Sequence, residues 1–314
     1  MQKIYNMSKE NNTSNNDRLK LKLKNLSKNK ILSPYERSLA KAMEYYYSDD
    51  FNKALNIFEI ILNNYKKEIS IKRLEKIYFF TGASLENLAD MEMDIEKKDR
   101  LYNKTIEKYK KAIKINPNND SAYNNWGYTL GELADIKEKK EEKEGLYNKA
   151  IEKYQKAIGI NPKFDKAYYN WGTTLEELAD IKEEKEDLYN KAIEKYQKAI
   201  GINPKFDKVY DDLGYVLMQL AKLKQGKEKK DLLNEAEEKL IKFDELKGKC
   251  YNLACVYALT GEKDKAFYYL EKTLINGERD FNYVENDEDF DNLREEPEYK
   301  RLKEKYGSSQ ETEE

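Results

Sequence analysis

Covalent chemistry has little to work with in this chain. Its 314 residues include no histidine, which removes the usual general base, the Ser-His-Asp and Cys-His nucleophile pairs and most transition-metal sites. Two cysteines are present, Cys250 and Cys255; side chains five apart on one predicted helix point about 140° away from each other, so no bridge between them is expected. Free thiols suit a reducing compartment. No phosphate-cradling loop of the GxxxxGKS/T or GxGxxG kind occurs, and the run Thr260-Gly261-Glu262-Lys263 falls at a predicted inter-helix turn. The 60 acidic residues are matched by 58 basic ones. Nearly all the carboxylates stand beside lysine at helical spacing, where exposed ion pairs account for them better than a catalytic dyad does. Catalysis would have to run through carboxylates or Cys255 with no base to help. A non-enzymatic protein is therefore expected, with no catalytic residue, no metal site and no cofactor.

The elements that would carry any other function are written three times over. Near-duplicate segments begin LYNKTIEKYKKAI at Leu101, LYNKAIEKYQKAI at Leu146 and LYNKAIEKYQKAI at Leu188. A fixed period with apolar positions at helical spacing is the mark of stacked helical hairpins, each burying its face only against its neighbours. Charged residues make up 38% of the chain, a fraction that would suggest disorder were the apolar residues scattered. They are periodic instead, and 26 Tyr with 10 Phe supply large wedges for a core.

In register, Gly82, Gly127, Gly172 and Gly214 align at spacings of 45, 45 and 42. Four residues before each stands an aromatic, Tyr78, Tyr123, Tyr168 or Tyr210, and three after each a leucine, Leu85, Leu130, Leu175 or Leu217. That is a first helix with an apolar face and a small residue where a neighbouring helix must come close. The second helix repeats small-aromatic-small as Thr105/Tyr109/Ala112, Ala150/Tyr154/Ala157 and Ala192/Tyr196/Ala199. Asn116-Pro117, Asn161-Pro162 and Asn203-Pro204 then stop it, because the residue before proline is pushed out of the α region. Asp120, Asp165 and Asp207 are the expected N-caps of the next first helix.

These motifs together resemble the tetratricopeptide repeat (TPR). Two weaker units extend the likeness: Ala42, Ala54 and Phe58 fall in register near the start, and Ala254, Tyr257, Gly261, Ala266 and Leu270 near the end. The resemblance implies an all-α fold, a right-handed superhelical α-solenoid of about six helix-turn-helix units. The expected division is a flexible basic tail at 1–33, units at about 34–67, 75–117, 120–162, 165–204, 207–243 and 247–280, a cap at 281–306 and an acidic disordered tail at 307–314. The cap is expected because Asn286 to Leu302 resembles the closing module of a group of bacterial TPR proteins, matched here by Asp287, Asp289, Phe290, Leu293, Arg294, Pro297, Tyr299 and Leu302. The central units are 8 or 11 residues longer than the family's usual repeat. Their surplus is rich in helix formers and paired charges, which predicts longer hairpins with charged far ends.

In TPR arrays the first helices line the concave face, and residues just after the leading aromatic and after the glycine point into it. Carried over by register, the resemblance implies a partner-binding face of Phe79, Phe80, Asn125, Tyr128, Tyr169, Asn170, Asp211, Asp212, Tyr215, Tyr251 and Asn252. Asn125, Asn170 and Asn252 share one repeat position, and a side-chain amide has the donors and acceptor to grip an extended peptide backbone. Asp211 and Asp212 would repel an acidic tail and attract a basic one.

The expected function is thus a scaffold or adaptor that holds an extended or helical segment of another protein in this groove. The ends suggest an alternative: residues 1–30 carry a net charge of +6 and residues 278–314 a net charge of −8. The alternating RLKLKLK from Arg18 to Lys24 could dock on an acidic region of a second copy and build a homo-oligomer. With a net charge of −2 overall, nucleic acid is a less expected partner, and a nucleic-acid-associated adaptor using the basic arm is the last alternative. No run of about 18 apolar residues and no apolar secretion core occurs, so a cytoplasmic protein with no membrane partner is expected.

Overall fold

Periodic apolar faces broken by proline, glycine and short polar caps leave the backbone little choice but helix, and the computed structural model of the protein is built that way. It describes residues 13–307, with side chains from residue 17 onward. Among the described residues every regular element is helical: fifteen α-helices and one 3-10 helix. They fall into two compact units, Met1–Pro162 and Lys163–Glu314.

The first unit holds α1 (Thr13–Ser27) followed by three antiparallel hairpins. These are α2 (Pro34–Tyr46) with α3 (Phe51–Asn64), α4 (Ile71–Met91) with α5 (Ile95–Ile115), and α6 (Asp120–Asp135) with α7 (Lys140–Ile160). The second unit pairs α8 (Asp165–Ile181) with α9 (Glu186–Ile202), α10 (Lys208–Lys222) with α11 (Gly226–Lys247), and α12 (Tyr251–Thr260) with α13 (Lys263–Ile275). A closing module follows, made of α14 (Phe281–Glu285), the 3-10 turn Glu288–Leu293 and α15 (Pro297–Tyr306).

Each central hairpin closes on the same contact. Tyr109, Tyr154 and Tyr196, at most 1% exposed, lay their rings on Gly82, Gly127 and Gly172 of the partner helix, and Leu240 does the same to Gly214. A Cβ on the first three glycines would stand 2.8, 2.6 and 2.6 Å from the facing ring, and one on Gly214 would run into the Leu240 side chain. Absence of a side chain is thus what lets ring and backbone meet, a ridge seated in a groove. The residues before proline, Asn116, Asn161 and Asn203, have φ between −128° and −135° with ψ near 90°, outside the α region as the sequence requires.

The surplus residues of the central units are taken up as helix: α4, α5 and α7 run 21 residues each. Their far ends are latched by one repeated bond. Tyr102, Tyr147 and Tyr189 on the second helices are buried and donate their hydroxyls to Asp90, Asp135 and Asp180 at the ends of the first helices, at 2.8 Å for Tyr102 and 2.9 Å for Tyr189.

Two expectations about the backbone are corrected. Asp120 and Asp165 are not N-caps. The carboxamide of Asn119 caps α6 by accepting from Ala122 N, and of the three aspartates only Asp207 caps its helix. Asp120 and Asp165 instead accept from the carboxamides of Asn161 and Asn203 at 2.8 and 2.7 Å, tying the end of each hairpin back to its beginning. Nor is 1–33 a flexible tail where it is described. Residues 13–27 form α1, and Leu19 and Leu23, 1% and 0% exposed, join the core of the first hairpin with Phe58, Ile61 and Ile77. The alternation that read as a basic arm puts these two leucines four apart on one helical face and leaves the lysines outside. Residues 1–12 of the expected tail, and 308–314 of the acidic one, lie outside the described residues.

Because α1 packs mainly on α2 at the start of the unit, Leu23→Ala is expected to cost about 2 kcal/mol, the lower end for a buried leucine, since the site can collapse. Chemical denaturation of wild type and variant measures it; a change within error would return α1 to the status of a tail.

The closing module buries Phe281, Phe290, Leu293, Tyr299 and Leu302 against the last hairpin. Asn292 donates to the Ala258 carbonyl at 2.9 Å, and Lys222 of α10 reaches Asp289 at 2.5 Å. Arg294 donates to the carbonyls of Glu285 and Asp287, which fixes the turn itself.

Candidate functional site

Within each unit the first helices of successive hairpins lie side by side, α4 by α6 in the first and α8, α10 and α12 in the second. This puts the register-matched residues on common faces, but not all of them on the surface. Half-exposed in the first unit are Phe79, Asn125 and Tyr128; in the second, Tyr169, Asn170, Asp211, Asp212, Tyr215 and Asn252. Two predicted groove residues are buried instead. Phe80, 7% exposed, turns into the core, stacked on Phe58 and edge-on to Tyr46, where aromatic rings of the first hairpin surround it. Tyr251, 4% exposed, is covered by the closing module, packs edge-on against Tyr283 and donates its hydroxyl to Asp287.

The asparagines do not form a free ladder. Asn125 donates to the Tyr109 hydroxyl at 3.2 Å, and Asn252 to Asp211 at 2.8 Å. Asn125 also accepts from the carboxamide of Asn124 at 3.2 Å, so these amides are oriented by the fold.

Beneath these faces runs a set of acids that sequence reasoning passed over. In the first unit Glu86 is buried and accepts from Thr129 at 2.7 Å and Tyr109 at 3.1 Å. Burial pushes its carboxyl up to about 8, and nearby Asp90 adds to the shift against those two hydrogen bonds. Asp90 and Glu132 are also raised by burial, and both share the cluster with Tyr128. In the second unit Glu176 accepts from Tyr196 at 2.7 Å and is pushed up to about 8 by burial and by Asp212. Asp212 itself is raised to about 6 by burial, partly offset by a hydrogen bond from Tyr169. The signal was present: ENLAD at Glu86, GELAD at Gly131 and EELAD at Glu176 recur in register. Nothing in that recurrence says which acids face a tyrosine.

In the second unit a cleft of about 630 Å³ lies between α10, α12 and the closing module. Tyr215, Tyr251 and Asn252 of the predicted face line it, joined by Lys222, Tyr283, Asp287 and Asp289. Cys255 opens onto it with its thiol 3.8 Å from Asp287, and burial, reinforced by Asp287 and Asp289, lifts that thiol well above its ordinary value. A buried thiol held protonated by its burial and by neighbouring carboxylates is a poor nucleophile. Donor atoms of Cys255, Asp287 and Asp289 come within 4.8 Å of one another, yet the Lys222 ammonium already neutralises Asp289. The arrangement is that of an internal ion pair, not of a cation site. No helix among the described residues is long and apolar enough to cross a membrane.

Comparison with known proteins agrees with this architecture. The family model described as TPR repeat matches residues 102–133 and 143–178, the stretch running from α5 through α8. No curated protein sequence matches the chain. Among solved structures, PilW, a widely conserved type IV pilus biogenesis factor, superposes with a TM-score of 0.56 at 16% identity, over 84% of this chain and 99% of its own, which speaks for the fold alone. MamA of Desulfovibrio magneticus RS-1 (TM-score 0.48, 19% identity, 68% of this chain and 94% of that one) is more distant. So is a thermophilic TPR protein of Thermus thermophilus (TM-score 0.49, 15% identity, 76% of this chain and 99% of that one). With the repeat family matched in sequence over these residues and the glycine-tyrosine hairpins in place, the chain carries tetratricopeptide repeats.

Proposed function

We propose that the protein is a non-enzymatic scaffold in which the first-helix face of a unit binds an extended segment of a partner protein. The observation that carries this reading is the recurrence, unit by unit, of half-exposed tyrosine beside oriented amide and carboxylate groups: Asn125 and Tyr128 in one unit, Tyr169, Asn170, Tyr215 and Asn252 in the other. Tyrosine gives contact area at low entropy cost, and amides and carboxylates give a backbone or basic side chain its hydrogen bonds. Side chains already held by internal bonds lose little freedom when a ligand arrives, which favours binding. Self-assembly through the N-terminal arm is less favoured, because the apolar half of that arm is spent inside its own unit.

Selection of a displayed peptide library on the full chain, followed by anisotropy titration of a winning peptide, tests the reading. Tyr169→Ala with Tyr215→Ala is expected to weaken binding about tenfold while the helical circular dichroism is kept, as expected for truncating aromatic anchors. Failure to select any peptide, or binding unchanged in that variant, would remove the first-helix face as the site.

A further inference from the structure

We propose that the cleft between α10, α12 and the closing module is a receptor for an arginine side chain on an extended basic segment of a partner protein. This rests on the scaffold reading and gives one of its surfaces a partner chemistry. Three tyrosines and four carboxylates line the cleft, Tyr215, Tyr251 and Tyr283 with Asp280, Asp287, Glu288 and Asp289, against a single ammonium, that of Lys222. Lys222 is consumed by Asp289 at 2.5 Å, so three carboxylates have no cation of the lining to answer them.

The aromatic part of the cleft already shows what it accepts. The guanidinium of Arg279, an exposed residue just before α14, lies 4.6 Å from the centre of the Tyr283 ring and 5.5 Å from that of Tyr251. Its own hydrogen bond there goes to the Glu278 carbonyl at 3.3 Å. A ring face carries negative potential, and the planar, weakly hydrated guanidinium stacks on it better than an ammonium does. The exposed Tyr283 ring, with the buried Tyr251 behind it, holds a guanidinium beside carboxylates that no cation of the lining answers, although Asp280 and Asp287 are hydrogen-bonded. This is a cradle for arginine, and in the free protein the chain's own side chain rests at its edge. Residues 278–314 carry a net charge of −8, a field that draws basic segments toward this end and repels acidic ones.

The occupant belongs to another protein rather than to a second copy. This chain's own basic run, Arg18 to Lys24, is held helical by Leu19 and Leu23 in the core of the first unit. An extended strand of it could reach the cleft only by giving up that burial.

The probe is a labelled Gly-Ser peptide carrying several arginines, titrated into the full chain beside counterparts with glutamate or glutamine at the same positions. The arginine peptide is expected to bind about tenfold more tightly than the glutamine one, and the glutamate one not at all. Glu288→Lys and Tyr283→Ala, both at exposed positions, are each expected to weaken the arginine peptide by about fivefold, the scale of one charge or one cation–π contact. Arg279→Ala is expected to strengthen it about threefold by removing the internal competitor. Glu238→Lys on an exposed part of α11 is expected to leave it unchanged. Equal binding of the three peptides, or indifference to Glu288→Lys and Tyr283→Ala, overturns the proposal. If neutral peptides bind and depend on Tyr215, the scaffold reading stands while the arginine cradle falls; if no peptide of any charge binds, both fall. A peptide of residues 1–30 that outcompetes the arginine probe, together with concentration-dependent dimers in sedimentation, overturns the choice of a foreign partner.

Discussion

Replacing Gly172 by alanine is expected to destabilise the second unit by about 3 kcal/mol and to lower Tm by roughly 6–12 °C, whereas Gly159→Ala is expected to stabilise the first by about 0.5–1 kcal/mol. Both glycines lie inside helices, Gly172 in α8 and Gly159 in α7. Their surroundings separate them. A Cβ on Gly172 would come 2.6 Å from the Tyr196 ring, which is fully buried and has nowhere to retreat, while a Cβ on Gly159 meets nothing within 4 Å. In the first case the added methyl forces the hairpin apart at its tightest contact. In the second it only restricts the unfolded chain and improves helix propensity. Gly127→Ala, facing Tyr154 at 2.6 Å, should behave like Gly172→Ala, and Gly201→Ala, with open space around it, like Gly159→Ala. Thermal unfolding of the four variants checks this. Equal effects in all four would mean that the ring-on-glycine contact does not set hairpin geometry.

Raising the pH from 5.5 to 8.5 is expected to destabilise the protein, and Glu86→Gln or Glu176→Gln each to abolish part of that loss. Both carboxyls are pushed up to about 8 from an ordinary 4.5. The folded state therefore holds protons that the unfolded state releases between pH 4.5 and 8. Stability from these groups is complete below the lower value and disappears as pH rises through the upper one. At about 1.4 kcal/mol per unit, each contributes a decline on the order of 3 kcal/mol across the measured range. Glutamine keeps the acceptor for Tyr109 and Thr129, or for Tyr196, without the charge. The variant should thus exceed wild type by about 1.4 kcal/mol at pH 5.5, one unit above the ordinary carboxyl value, and by several degrees more in Tm at pH 8.5. Parallel curves would show that these acids are ionised in the fold.

Comparison of the repeats separates the two acid–tyrosine pairs. In the hairpin of α10 and α11 the positions of Glu176 and Tyr196 hold Met218 and Leu240, and those of Asp180 and Tyr189 hold Lys222 and Leu233. Met218, Leu233 and Leu240 are at most 3% exposed. Acid and tyrosine are lost together in both pairs of this hairpin, but in that of α6 and α7 Gly131 stands at the glutamate position while Tyr154 is kept, so only the aspartate–tyrosine latch is kept or lost as a unit throughout. Lys222, released from that role, is the residue that reaches the closing module.

What the amino-acid sequence determined by itself was the architecture: an all-helical array of hairpins, with glycine set against a ring and Asn-Pro ending each second helix. These follow from the spacing of residue types along one chain, and helix geometry converts spacing into faces without further information. Which side chains meet across neighbouring helices was decided only in three dimensions. Phe80 shares a repeat position with Asn125 yet fills the core, the lysine-leucine run becomes a docked helix, and Tyr251 disappears under the closing module. The carboxylates of ENLAD and EELAD look like any solvated pair of charges until a tyrosine from a helix some twenty residues away is seen to cover them. Periodicity assigns a residue to a face, but burial, and with it protonation and availability to a partner, depends on what the adjoining element happens to place opposite.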